Sequence, residues 1–170
     1  YLVERLVETP SRVREGPTVA IESLATAFEG ILELTGTVRT LVRAVGLDTP
    51  GPASAEGVIS SKGATNFSQR EWWGFDIRGA LEDRLGLPVV YTNDANAAAL
   101  YAHYAHFGAI AQVRSSVSAI VGTGLGGGVI HAGSVITGAA GMAGELGHVH
   151  VPLHDVLAPD QPLPQCNCGF

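Results

Sequence analysis

The chain predicts an α/β protein with a largely buried sheet. Three features carry that expectation: two long stretches with helical spacing, short apolar runs of strand length, and glycine or proline at most changes of pattern. Hydrophobic residues make up 46% of the 170 and charged residues only 15%. That composition argues against disorder and allows one good core or two small lobes. The formal charge of −6 comes without a basic run, which argues against a surface that tracks nucleic-acid phosphates. No apolar stretch reaches membrane-spanning length, and YLVERLVETP lacks the layout of a signal peptide.

The elements follow in order. Ile21, Leu24, Phe28, Ile31 and Leu32 repeat at helical spacing over 17–35, with Pro17 early and Gly36 after the end. LVRAVGL at 41–47 predicts a buried strand running into the turn-rich DTPGPAS. Gly57-Val58-Ile59 is a short extended piece before the loop SSKGATNFSQREWWG. A helix is predicted over 76–85, started by Asp76 and stopped by Gly86, then a strand at 88–91 and an alanine-rich helix over 94–107 closed by Gly108. Residues 117–121 predict a further strand, and a boundary falls near 109–115, where a new strand system starts.

The stretch IVGTGLGGGVIHAG at 120–133 contains Gly122-x-Gly124-x-x-Gly127, the spacing of a dinucleotide fingerprint. A dinucleotide site needs strand, glycine turn and then a helix facing the pyrophosphate. Here Gly128-Val129-Ile130-His131 follows, which is β-rich, so the pattern is a hairpin and the nicotinamide or flavin reading falls. Two uses remain for the run. Glycines at 122, 124, 126 and 127 let backbone N–H groups approach phosphate oxygens, with Thr123 adding a hydroxyl; equally, they make a tight turn that binds nothing.

Asp94 falls at the end of a strand and the start of a helix, where a carboxylate either caps the helix or faces a ligand at the carboxyl ends of the strands. In the second role it is a candidate general base on a substrate hydroxyl. Asn93 competes for the capping role. Glu145 and His148 lie three residues apart, one turn, on one face. Cys166 and Cys168 present two thiols close together, which fits a reducing cytoplasm and, with His148, a zinc site; the alternative is two incidental buried thiols. A fourth ligand would come from His150, His154, Asp155 or beyond Phe170.

Taken in series, Asn93-Asp94-Ala95-Asn96-Ala97-Ala98-Ala99, Gly122-Thr123-Gly124-Leu125-Gly126-Gly127-Gly128, Ala143-Gly144-Glu145-Leu146-Gly147-His148 and Cys166-Asn167-Cys168-Gly169 resemble the ROK family of sugar kinases and sugar-responsive repressors. The turn Thr49-Pro50-Gly51-Pro52 and Asn66 also fit. The resemblance implies an actin-like ATPase (ribonuclease H-like) fold of two α/β lobes around a cleft, here incomplete, and ATP-dependent phosphorylation of a hexose. It implies Asp94 as catalytic base, with Asn66, Asn93, Glu145 and His148 on the sugar hydroxyls. Gly122, Thr123 and Gly124 would face the phosphates of ATP with magnesium, and His148, Cys166 and Cys168 would hold zinc. The expected division is an N-terminal lobe over 1–112, carrying sugar-site residues and the base, and the start of a C-terminal lobe over 113–170. A cytoplasmic homodimer is expected.

Three departures from the family pattern stand out. The Asp-x-Gly-x-Thr phosphate strand is absent, as is everything after the second cysteine, and the gap from His148 to Cys166 is long and carries Pro152, Pro159, Pro162 and Pro164. Tyr1-Leu2-Val3 begins like the middle of a strand and Cys168-Gly169-Phe170 stops inside a motif, so a fragment of a longer protein is expected. The alternative function is a sugar-sensing repressor whose DNA-binding helices precede this segment. A repressor need keep neither the base nor the phosphate turn, and both are present here.

Overall fold

Parallel pairing of two strands far apart in sequence sets the architecture. A computed structural model describes residues 5–51, 53–61, 66–122, 124–149, 158 and 160–162. Helix α1 (Pro17–Thr35) opens with proline at its first position, where a missing N–H costs nothing, and ends at Gly36 in the left-handed region (φ 65°). The Gly36 and Thr37 N–H groups donate back to Glu33 and Leu32, a Schellman closure. Strand β1 (Val45–Thr49) follows, then helix α2 (Ile77–Leu85), capped by the Asp76 carboxylate on Gly79 N–H at 2.8 Å and stopped by Gly86. Strand β2 (Val89–Asn93) pairs parallel with β1 from Val45↔Val89 to Thr49↔Asn93.

Helices α1 and α2 cover one face of this pair. Leu47 and Val89 point into a core with Ile21, Ile59, Phe67, Trp72, Ile77 and Leu81. Trp72 is fully buried although it lies in a predicted loop; a short 3-10 turn at Arg70–Trp72 turns it inward. Its indole N–H donates to the Val13 carbonyl at 2.9 Å, and Phe67 and Phe75 meet its ring edge-on. On the opposite face Gly46, Asp48, Val90 and Thr92 line an open groove of about 680 Å³ beside the next helix.

That helix, α3 (Asp94–Phe107), lies between the parallel pair and a second, antiparallel sheet. The second sheet is β3 (Ser116–Val121), β4 (Leu125–His131) and β5 (Ser134–Val135), in that order. The 120–133 segment is therefore a strand–turn–strand hairpin with no helix after its glycines, as its β-rich continuation predicts. Alanine on α3 and glycine on β4 let the two backbones approach closely. A Cβ added at Gly126 would stand 3.0 Å from that of Ala95, and one at Gly128 would collide with Ala99.

His103 fastens the same joint. It is buried on α3, with Nε2 on the Ala111 carbonyl and Nδ1 on the Ser116 hydroxyl, both at 2.8 Å. A carbonyl only accepts, so Nε2 carries a proton; in the neutral ring Nδ1 then accepts from Ser116.

The start of β1 differs from expectation. The apolar run 41–47 predicts a strand there, but Arg39–Leu41 forms a 3-10 turn with Leu41 70% exposed, and pairing begins at Val45. The run contains enough apolar residues for either register; the match to β2 decides, because it buries Leu47 and Thr49 together. Pro50, which has no N–H to give, then ends the strand.

Candidate functional site

The parallel register places the carboxyl ends of β1 and β2 side by side at Thr49 and Asn93. Ligands of open α/β sheets bind at such ends. Thr49 is buried, its hydroxyl 2.7 Å from the Tyr91 hydroxyl. Burial raises the Tyr91 phenol above its ordinary value; the Thr49 hydrogen bond opposes this, and the nearby charges of Asp94 and Asp48 push the same way as burial. Tyr91 thus stays a neutral partner to Thr49 at the strand end.

Asn93, not Asp94, caps α3. Its Oδ1 accepts from Asn96 N–H at 2.7 Å, in the extended conformation (φ −81°, ψ 162°) of a helix-capping residue. Asp94 is then the first helical residue and is exposed, with Oδ1 accepting from Ala95 N–H at 2.8 Å. Its Oδ2 has no hydrogen-bond partner among the described residues. The two duties open in the sequence are thereby divided. Asn93 secures the helix, and the Asp94 carboxylate is held by the helix start with one oxygen facing outward. The Asn93 oxygen serves the cap, and its amide N–H₂ stays outside that bond.

The loop after β5 approaches the same end. An added Cβ at Gly141 would lie 2.5 Å from the Ala55 nitrogen, so this loop is pressed against the segment that follows β1. Further along, Gly144 and Gly147 pack on β4 without room for side chains, and Leu146–His148 forms a 3-10 turn. Glu145 precedes that turn and is half-buried, its carbonyl accepting from His148 N–H at 3.0 Å, while His148 is exposed. The turn keeps Glu145 and His148 in the i, i+3 relation that stacks side chains along one face of a 3-10 helix. Glu145 and His148 therefore sit beside the start of β4, and their loop reaches Ala53–Ala55.

The glycine turn divides into two kinds of glycine. Nothing lies within 4 Å of where a Cβ would stand on Gly122 or Gly124, so the turn is open above both. Gly122 N–H closes the turn on the Gly124 carbonyl at 2.9 Å. Gly126 and Gly127, counted in the sequence among phosphate-facing positions, belong instead to β4, paired with Ile120 and Ala119. Thr123 lies outside the described residues, as do Cys166, Cys168, His150, His154 and Asp155. Among the described residues no three His, Cys, Asp or Glu side chains cluster to hold a metal. Asn66 sits on an exposed turn beside buried Phe67, and no hydrogen bond joins it to Asn93 or Asp94 among the described residues.

The ROK family model matches residues 5–170. The chain belongs to the ROK family. A crystal structure of a ROK hexokinase from Thermus thermophilus superposes with a TM-score of 0.70 at 38% identity, covering 96% of this chain and 48% of that one. A ROK glucokinase from Streptomyces griseus, solved with glucose and AMPPNP, gives a TM-score of 0.64 at 32% identity over 96% of this chain and 45% of that one. The glucokinase of Halalkalibacterium halodurans is 32% identical over 163 residues, which is 95% of this chain and 45% of the relative. The fold is thus the actin-like ATPase fold, in part: the chain spans about half the length of the curated relatives it matches. No helix among the described residues is long and apolar enough to cross a membrane.

Sequence reasoning missed two features of the site. In the sequence Asn96 is only part of a motif, yet its side chain is buried behind the Asn93 cap; its i+3 spacing from Asn93 is the available signal. The Thr49–Tyr91 pair depends on strand register and had no local signal.

Proposed function

We propose that the full-length protein is an ATP-dependent hexose kinase and that this chain carries its catalytic base. The observation behind this reading is the Asn93–Asp94 arrangement: the cap is made by the neighbour, and the carboxylate of Asp94 stands exposed at the carboxyl end of a parallel strand. In the proposed step a sugar hydroxyl oxygen attacks the terminal phosphorus of ATP in line. Asp94 takes the hydroxyl proton as the new O–P bond forms, and the bond to the departing ADP oxygen breaks. Asn66, the Asn93 amide, Glu145 and His148 are the proposed partners of the remaining hydroxyls.

The open turn at Gly122 and Gly124, with Thr123, is the proposed phosphate contact. Magnesium, when bound with ATP, would offset charge on the phosphates. Two thiols and an imidazole are a donor set suited to zinc, so Cys166, Cys168 and His148 are its proposed ligands. With zinc on one ring nitrogen, His148 would present the other to the sugar in a fixed orientation. The lobes are proposed to divide near 112/113, with α3 packed on the hairpin sheet across that division, and the protein to work as a cytoplasmic homodimer.

Family and fold accommodate a sugar-sensing repressor as well as a kinase. The exposed carboxylate and the unfilled turn favour the kinase, since a repressor requires neither. The test is ADP release by the full-length protein with ATP and glucose, mannose or N-acetylated hexoses. Sugar-dependent ADP release is expected; sugar binding with no turnover on any of them would contradict it.

A further inference from the structure

Tyr91 touches both ends of the segment that leaves β1. At one end its hydroxyl lies 2.7 Å from that of Thr49, the last residue of the strand and only 5% exposed. At the other end its ring lies against Gly57. A Cβ added at Gly57 would stand 3.0 Å from the ring Cγ and 2.9 Å from the Arg78 Cβ. Gly57 also has φ 91°, so glycine both makes the bend and leaves room for the ring.

Between these two contacts the chain makes a tight turn. Ala53 bridges Ile59, Ser54 N–H donates to the Val58 carbonyl at 2.9 Å, and Gly57 N–H donates to the Ser54 carbonyl at 3.0 Å. The turn meets the loop after β5, where Gly141 abuts Ala53–Ala55 without space for a side chain. With Ser54, Asn93 and Thr137, Tyr91 lines a small cavity where these segments come together. Tyr91 also precedes Asn93 by two residues on β2, which puts both on one side of the strand. It thus joins the turn to the strand that carries Asn93.

We propose that Tyr91 is a positioning residue: through Thr49 and Gly57 it clamps the 53–59 turn beside Asn93 and Asp94, and so fixes one wall of the ligand site. A phenylalanine ring would pack on Gly57 as well. Only the hydroxyl ties the end of β1, because a hydrogen bond sets both a distance and a direction. That the wall faces a sugar rests on the kinase reading; the clamp itself does not.

The test uses full-length Tyr91→Phe, Thr49→Val, Thr49→Ser and the Tyr91→Phe/Thr49→Val double variant. Its first readout is amide hydrogen exchange. Loss of one hydrogen bond should speed exchange at Ser54 and Gly57 by about 2–10-fold, while α1 exchanges as in wild type. The second is the KM for whichever of glucose, mannose or N-acetylated hexoses the wild type turns over fastest. It should rise about 2–10-fold in Tyr91→Phe and in Thr49→Val, with kcat changed less. The double variant should do no more than the larger single change, since both hydroxyls serve one bond. Thr49→Ser keeps the hydroxyl and should stay close to wild type. Unchanged exchange at the turn, or additive effects in the double variant, overturns the clamp. Faster exchange with an unchanged sugar KM overturns its role in positioning the site. Exchange needs no turnover, so a protein that phosphorylates no sugar would remove the kinase reading and leave the clamp to be decided by exchange.

Discussion

Asp94 and Asn93 are adjacent, both are good helix caps, and their order decides what each can do. With Asn93 at the cap, one oxygen of the Asp94 carboxylate is left uncommitted among the described residues. The strand-to-helix junction was legible in the sequence because asparagine and aspartate there follow a strand and precede an alanine run. Which of the two caps was not legible, because their capping preferences are nearly equal and backbone geometry chooses. The same holds for Asn96, whose burial depends on how closely β4 approaches. His148 is a metal candidate at this scale. If it joins Cys166 and Cys168 on zinc, the full-length protein purified without chelator should contain about one zinc per chain by elemental analysis. A metal-free protein that folds and turns over normally would contradict that assignment.

Glycine and alanine have different duties in different elements. Helix ends were readable because Pro17, Gly36, Asp76, Gly86 and Gly108 each solve a local backbone problem. The bounds of β1 were not, because register is chosen by the partner strand. Nor was the role of Gly126–Gly128, which depends on a helix lying across them. Two substitutions separate the turn from the strand. Gly128→Ala places a methyl against Ala99 and should destabilise the protein by about 1–3 kcal/mol, read as an earlier thermal melt. Gly124→Val, in open space, should leave the melt nearly unchanged while raising the KM for ATP much more than that for sugar. A higher sugar KM with normal ATP use would place a different ligand at the turn.

For the whole molecule, α3 connects the two proposed sites. Its first residue carries the proposed base, and its buried face of Asn96, Ala99 and His103 holds the hairpin sheet whose turn is the proposed phosphate contact. A joint packed glycine on alanine transmits position well, since little can shift without a clash. That links Asp94 and the glycine turn along one helix and one sheet.

The central claim is that Asp94 accepts the sugar proton during phosphoryl transfer. The most direct measurement compares full-length wild type with Asp94→Asn for ATP-dependent hexose phosphorylation, alongside thermal melts and sugar binding. Asparagine keeps the size and takes away the basicity, while Asn93 continues to cap the helix. Turnover is expected to fall by about 10²–10⁴-fold, with melting and sugar affinity largely retained. A variant that melts normally and turns over at the wild-type rate would contradict the account.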